Sequence, residues 1–289
     1  MVVSILLLTS FRHSPDDILL ELKLTPGDVY QQDVQYDFDI EMDMMGMEMN
    51  VEMRGGMGQQ HVVHAIPKKG GANVLMSIER FKMKYSMSGM TELSVEYDSE
   101  NPSDDPVYQE MDAAMRGLLE MTNVITYNAQ GVVIDEQGAD LMSGFYAEAG
   151  MSGGSMDWMM GNGGGLMMAA YSKKAVAIGD SWETTTKSKA EGIKSEINAT
   201  YRLKSRESGT AYIDLDATLE LKGSVLSDGL DIEVRGKGTV KGILQVDEKT
   251  GWTNQSALQQ KLAFYMITEG IEMPMTLSGT MNTWPSEEK

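Results

Sequence analysis

The chain has 289 residues, 24 of them basic and 43 acidic, and it contains no cysteine. A net charge of −19 disfavours a nucleic-acid surface, which needs clustered Lys and Arg, and equally disfavours docking on anionic lipid head groups. Without thiols, disulfides, thiolate metal sites and a cysteine nucleophile are excluded.

The length suits one large β domain or two smaller ones, and an apolar fraction of 42% supports a substantial core. Methionine is the compositional outlier, with 26 residues, 22 of them before residue 179. Its flexible thioether fills irregular gaps and adapts to variable partners. No stretch is long and apolar enough to span a membrane as a helix.

In chain order, residues 1–17 form an N-terminal segment. Its apolar run Val2–Leu8 reads equally as the remnant of a secretory signal or as a strand. Ile18, Leu20, Leu22 and Leu24 alternate and predict a half-buried strand. Thr25-Pro26-Gly27-Asp28 is a turn. A long strand follows, with Tyr30, Gln32, Val34, Tyr36, Phe38, Ile40, Met42 and Met44 in one phase. The phase flips at Met45-Gly46, after which Met47, Met49, Val51 and Met53 are the apolar set. A two-residue turn pairs Met44 with Met47, Met42 with Met49 and Phe38 with Met53, so every apolar residue shares one face. The opposite face is acidic, with Asp37, Asp39, Glu41 and Asp43.

Gly55, Gly56 and Gly58 predict a bend in the return strand, and a phase change near Glu79-Arg80 predicts a bulge in the next one. A three-residue loop at 88–90 pairs Tyr85 with Leu93 and Phe81 with Tyr97. A helix is expected over 105–121, capped by Asp105 with Pro106 at its first position. Its apolar face is Val107, Met111, Ala114, Met115 and Leu118. A short hairpin turns at Asn128–Gly131.

Residues 138–177, rich in Gly and Met, lack a period and read as a linker or flap. Alternation returns after them. Gly179-Asp180-Ser181-Trp182 echoes Gly27-Asp28-Val29-Tyr30, and a second two-residue turn pairs Ala190 with Ile193 and Trp182 with Tyr201. Long strands complete the chain, with Gly236, Gly238 and Gly242 marking a bend and Phe264 paired to Met273 near the end. The expected fold is therefore mainly β. It comprises two similar antiparallel meander halves with long twisted strands, 18–137 and 178–286, one clear helix, and the 138–177 insert.

Candidate chemistry is sparse. Gly150-Met151-Ser152-Gly153-Gly154 matches G-x-S-x-G without the strand-to-helix context that a nucleophile elbow needs. His61 and His64 fall on opposite faces of a strand, which is poor metal geometry. Gly161–Gly165 lacks the Lys and Ser/Thr of a phosphate loop. Asp98, Glu100, Asn101, Asp104 and Asp105 are explained by helix capping and solvation as readily as by calcium. Methionine clusters are able to bind copper(I), yet Phe38, Ile40 and Val51 continue the same face and point to packing. The candidate ligand-binding residues are Met42, Met44, Met47, Met49, Met83, Met159 and Met160. No cofactor, metal site or catalytic residue is expected.

Four stretches carry a family resemblance: LELKLTPGDVYQQDVQYDFDIEMDM, VAIGDSWETTT, VKGILQVDEKTGW and IEMPMTLSGTM. In these the chain resembles an uncharacterised family of β-rich secreted proteins and lipoproteins of Bacteroidota-type bacteria. The resemblance implies a periplasmic or extracellular place in the cell envelope. It implies no activity. Lys173-Lys174-Ala175 departs from the proline-containing approach expected before VAIGDSW. The functional expectation is a non-enzymatic envelope protein that binds a lipid-like or apolar molecule, or a partner, through Met-lined sheet faces. The alternative is an accessory subunit of a surface complex, docking through the 138–177 insert.

Overall fold

A computed structural model describes residues 17–44, 46–89, 92–120, 122–137, 168–190, 192–227, 230–268 and 270–287. The strands are β1 (Val29–Met44), β2 (Met47–Ala65), β3 (Ala72–Ser88) and β4 (Leu93–Asp98), then, after helix α1 (Pro106–Glu120), β5 (Thr122–Tyr127) and β6 (Val133–Gln137). The second group is β7 (Ser181–Ala190), β8 (Ile193–Glu207), β9 (Thr210–Ser227), β10 (Leu230–Asp247), β11 (Thr253–Thr268) and β12 (Ile271–Pro285). All twelve belong to one antiparallel sheet of order β6-β5-β3-β2-β1-β12-β11-β10-β9-β8-β7, with β4 also on β3. The halves meet where β1 pairs with β12, from Gln32↔Pro285 to Met42↔Met275.

Alternation decides which way the sheet faces. On β1, Gln32, Val34, Tyr36, Phe38 and Ile40 are buried while Gln31, Gln35, Asp37 and Asp39 are exposed. The same parity runs through both halves. Tyr36 and Phe38 therefore share one hydrophobic core with Leu215 of β9, Val246 of β10 and Leu258 of β11. A sheet this wide twists strongly, and its inner-face residues form one continuous core across both halves. Each fully buried side chain such as Phe38 contributes roughly 2 kcal/mol. Large rings on the inner face need bare backbone beside them. Tyr36 pairs with Gly55, where an added Cβ would strike the Tyr36 hydroxyl and the Lys82 carbonyl.

The hairpin turns 44–47, 88–93, 190–193, 227–230 and 268–271 lie at one end, the tip end. The opposite end is the base. Residues 18–24 do not form the expected strand. Leu20, Leu22 and Leu24 are buried in alternation, but the backbone crosses the base and bonds to loops, Leu22 N to Ala129 O (2.9 Å) and Lys23 N to Thr250 O (2.7 Å). Of the 138–177 stretch, 138–167 lies outside the described residues, whereas Met168, Ala169, Ala170 and Tyr171 are buried at the base. Ile18 and Val176 bridge these two crossing segments.

Two pairings differ from the sequence expectation by two residues. Tyr85 faces Val95, not Leu93, and Phe264 faces Met275, not Met273. The second hairpin turns on two residues, Thr268 pairing with Ile271. A slip of two preserves the buried face, so hydrophobic pattern alone does not detect it. The bulge falls where expected, with Glu79 skipped between Arg80↔Gly58 and Ile78↔Gln59. The helix is capped by Asp105, whose Oδ1 accepts from Tyr108 N at 3.3 Å. Its core face is Tyr108, Met111, Met115 and Leu119, and Tyr108 stacks on Tyr97 at 5.2 Å. The side chains of Val107, Ala114 and Leu118 lie outside the described residues.

Candidate functional site

Three of the sequence candidates, Met42, Met47 and Met49, lie together at the tip end. Met49, Met42 and Met275 stand in one cross-strand row over β2, β1 and β12, and the row continues through Phe264 and Gly236 to Leu221. One row nearer the tips, Met273 faces Met266. Burial falls along the inner face toward this end. Ile40 and Val51 are each 1% exposed, Met42, Met49, Met87, Met266 and Met273 are half-buried, and Met47, Leu93 and Ile271 are 47%, 44% and 37% exposed.

Met83 is placed differently. It is 2% exposed, faces Tyr97 and belongs to the core beneath α1. The backbone of Met44 pairs with Met47, while its side chain lies outside the described residues, as do Met159 and Met160. Sequence reasoning missed Met87, Met266, Met273 and Met275. The available signal was the phase of β3, β11 and β12; what could not be read was that β12 lies against β1.

Behind the rim, the acidic face of the first hairpin is tied by one cation. Arg54 donates to Phe38 O at 2.7 Å and contacts Asp37 at 2.8 Å and Asp39 at 2.7 Å. Desolvation opposes its charge, but the hydrogen bond to Asp39 and the surrounding carboxylates hold the guanidinium above its ordinary pKa.

The base carries a different constellation. Tyr30 stacks on Trp252 at 4.4 Å, and His61 meets the same indole edge-on at 5.2 Å. His61 is buried and neither ring nitrogen has a partner, so desolvation lowers its pKa to about 4. The neutral ring acts as an aromatic. Burial raises Tyr30 to about 12, with Asp28 adding to the shift. Nothing here supplies a nucleophile next to a base. Among the described residues, no group of three His, Cys, Asp or Glu side chains is placed to hold a metal, and no helix is long and apolar enough to cross a membrane.

A hollow of about 1080 Å³ opens on the outward face of β7–β11. It is lined by lysines, glutamates, Arg235 and Tyr265 among others, and none of the described methionine candidates, Met42, Met47, Met49 and Met83, borders it.

A family profile described as "Family of unknown function (DUF6263)" matches residues 165–253. No curated relative matches the sequence. Among solved structures, lipovitellin, described for its lipid–protein interactions, aligns over 92% of this chain and 26% of its own, with a TM-score of 0.50 and 10% identity. The chain thus spans about a quarter of that protein's length, and the likeness is one of fold. Pseudomonas aeruginosa OccK7 (OpdD) aligns over 91% of this chain and all of its own, at a TM-score of 0.26 and 7% identity.

Proposed function

We propose that the protein is a non-enzymatic component of the cell envelope that takes up an apolar ligand, or a partner's apolar surface, at the methionine-lined tip end. One observation carries the reading. The inner face loses its cover progressively toward the tips, and the residues left half-covered include Met42, Met49, Met87, Met266 and Met273, drawn from five strands, beside Val95 and Ile232. The base, by contrast, is closed by hydrogen-bonded crossing segments. A ligand entering between the tips would bury its apolar surface against unbranched thioethers, which re-pack at little cost. The solved relative in fold was described for its lipid–protein interactions, in keeping with such a ligand.

Native mass spectrometry of protein purified without detergent tests this. Wild type should carry a lipid-like added mass, and Met49→Asp with Met273→Asp should shed it while remaining folded. A wild-type protein that is uniformly ligand-free would refute the uptake of an apolar ligand.

A further inference from the structure

The charge of the chain is unevenly distributed. Residues 18–137 hold 8 basic and 21 acidic side chains, net −13, while residues 178–286 hold 12 and 15, net −3. Strand register gathers the cations of the second half. Lys189 of β7 faces Lys194 of β8, Lys194 faces Lys222 of β9, and Lys222 faces Arg235 of β10. Four like charges thus stand side by side on four adjacent strands, and all four line the 1080 Å³ hollow.

The neighbouring row shows what a charge-balanced sheet face looks like. There Lys187 faces Glu196 and Glu220 faces Lys237, closing ion pairs of 2.8 and 2.9 Å. In the cationic row, Arg235 alone has carboxylates, Glu233 at 3.1 Å and Glu272 at 3.4 Å. Lys189, Lys194 and Lys222 form no ion pair among the described residues. Like charges directly opposite each other destabilise a sheet. Edge protection accounts for lysine on β7, an end strand, but not for Lys194, Lys222 and Arg235 on interior strands.

We propose that this row is a binding site for a molecule bearing two or more phosphate groups. Strands lie roughly 4.8 Å apart, so the backbones that carry the four cations span roughly 14 Å, and the long, flexible side chains are able to converge on two or three linked phosphates. Lysines supply mobile point charges and Arg235 a planar fork, a combination suited to phosphate oxygens. At the far end of the row Arg235 faces Tyr265, which is 46% exposed and offers a ring to the non-phosphate part of the ligand. The site is on the opposite face of the sheet from the methionine rim and stands independently of it. The global charge of −19 conceals it, because the excess carboxylates lie mainly in the other half.

Calorimetric titration with tripolyphosphate at low salt, and co-sedimentation with phosphatidylcholine vesicles with and without cardiolipin, test the site on the full chain. Wild type should bind tripolyphosphate, less tightly as salt rises. Lys194→Gln with Lys222→Gln should bind about 100-fold more weakly, two charge-assisted hydrogen bonds being lost. Lys204→Gln, on the same sheet face but outside the hollow, should bind as wild type does. The double variant should also melt roughly 1–3 °C higher, since like-charge opposition is relieved, and that rise certifies its fold. Cardiolipin-dependent sedimentation, lost in the double variant, identifies a lipid head group as the source; tripolyphosphate binding alone identifies a soluble phosphate compound. Binding of neither, or equal binding by the double variant, overturns the proposal.

Discussion

The hairpins β1–β2 and β7–β8 begin alike and end differently. Each opens on a turn with the same bonds. Thr25 N and Ala177 N donate to Asp28 Oδ2 (3.0 Å) and Asp180 Oδ2 (2.9 Å), while Gly27 and Gly179 at φ +92° and +97° donate to Val63 O and Leu203 O. Two residues on, Tyr30 faces His61 and Trp182 faces Tyr201. Six residues further, Tyr36 faces Gly55 where Ser188 faces Ser195. Then the second hairpin turns, while the first runs on: β1 has 16 residues and β7 has 10. That extension contains Met42, Met44, Met47 and Met49. The methionines at the tip of this hairpin are therefore an addition to the part the two hairpins have in common. Within that part, Met53 and Met57 stand where the second hairpin has Ile193 and Ile197.

The largest test of this comparison exchanges the ring cradle. Gly55→Val places a branched side chain against the Tyr36 ring and the Lys82 carbonyl and should cost about 3 kcal/mol or more. Ser195→Val at the counterpart position forfeits only the 2.6 Å bond to Ser188, about 1 kcal/mol. Urea unfolding of both variants measures the contrast, and equal losses would mean that the two positions are not equivalent.

The next effect is set by pH. Burial lowers the folded pKa of His61 from 6.5 to about 4, so the unfolded chain takes up this proton first. The stability that depends on a neutral His61 is complete above pH 6.5. It declines as pH falls toward 4, by about 3 kcal/mol at the end of the window. His61→Tyr copies the partner that Trp182 has in Tyr201 and should flatten this decline. Denaturant titrations at several pH values between 7 and 4 measure it, and parallel profiles for wild type and variant would remove His61 as the cause.

The smallest effect probes the part held in common. Asp28→Ala and Asp180→Ala each remove one turn bond and should cost about 1 kcal/mol apiece. Thermal melts that show one loss several-fold larger than the other would break the equivalence of the two openings.

How much of this was legible in the sequence depended on what each signal encodes. Period-two alternation assigns a face, so the β1–β2 pairing from Met44↔Met47 back to Phe38↔Met53 is readable, its two-residue turn being marked by Met45-Gly46. Alternation does not count loop residues, so β3–β4 and β11–β12 are misjudged by two. Nor does it separate a strand from an extended strap. Leu20, Leu22 and Leu24 alternate because the strap lies against the base, and its hydrogen bonds go to loops more than a hundred residues away. Asp105-Pro106 announces the helix, but the burial of Tyr108 depends on Tyr97, which only the folded sheet brings to it. The cationic row had no local signature at all. Lys189, Lys194, Lys222 and Arg235 are scattered among acidic neighbours, and cross-strand register alone makes them a group.

The pairing of β1 with β12 has a consequence during synthesis. At roughly 5–20 residues per second, the ribosome needs roughly 12–50 s after completing β1 to deliver β12. Throughout that interval β1 and its hairpin partner present one unfilled edge, a template on which another nascent chain is able to add. Asp37, Asp39, Glu41 and Asp43 stand along that strand, pointing outward and repelling any like edge that approaches. The outward carboxylates of the first hairpin therefore guard an edge whose partner, β12, is made long after β1.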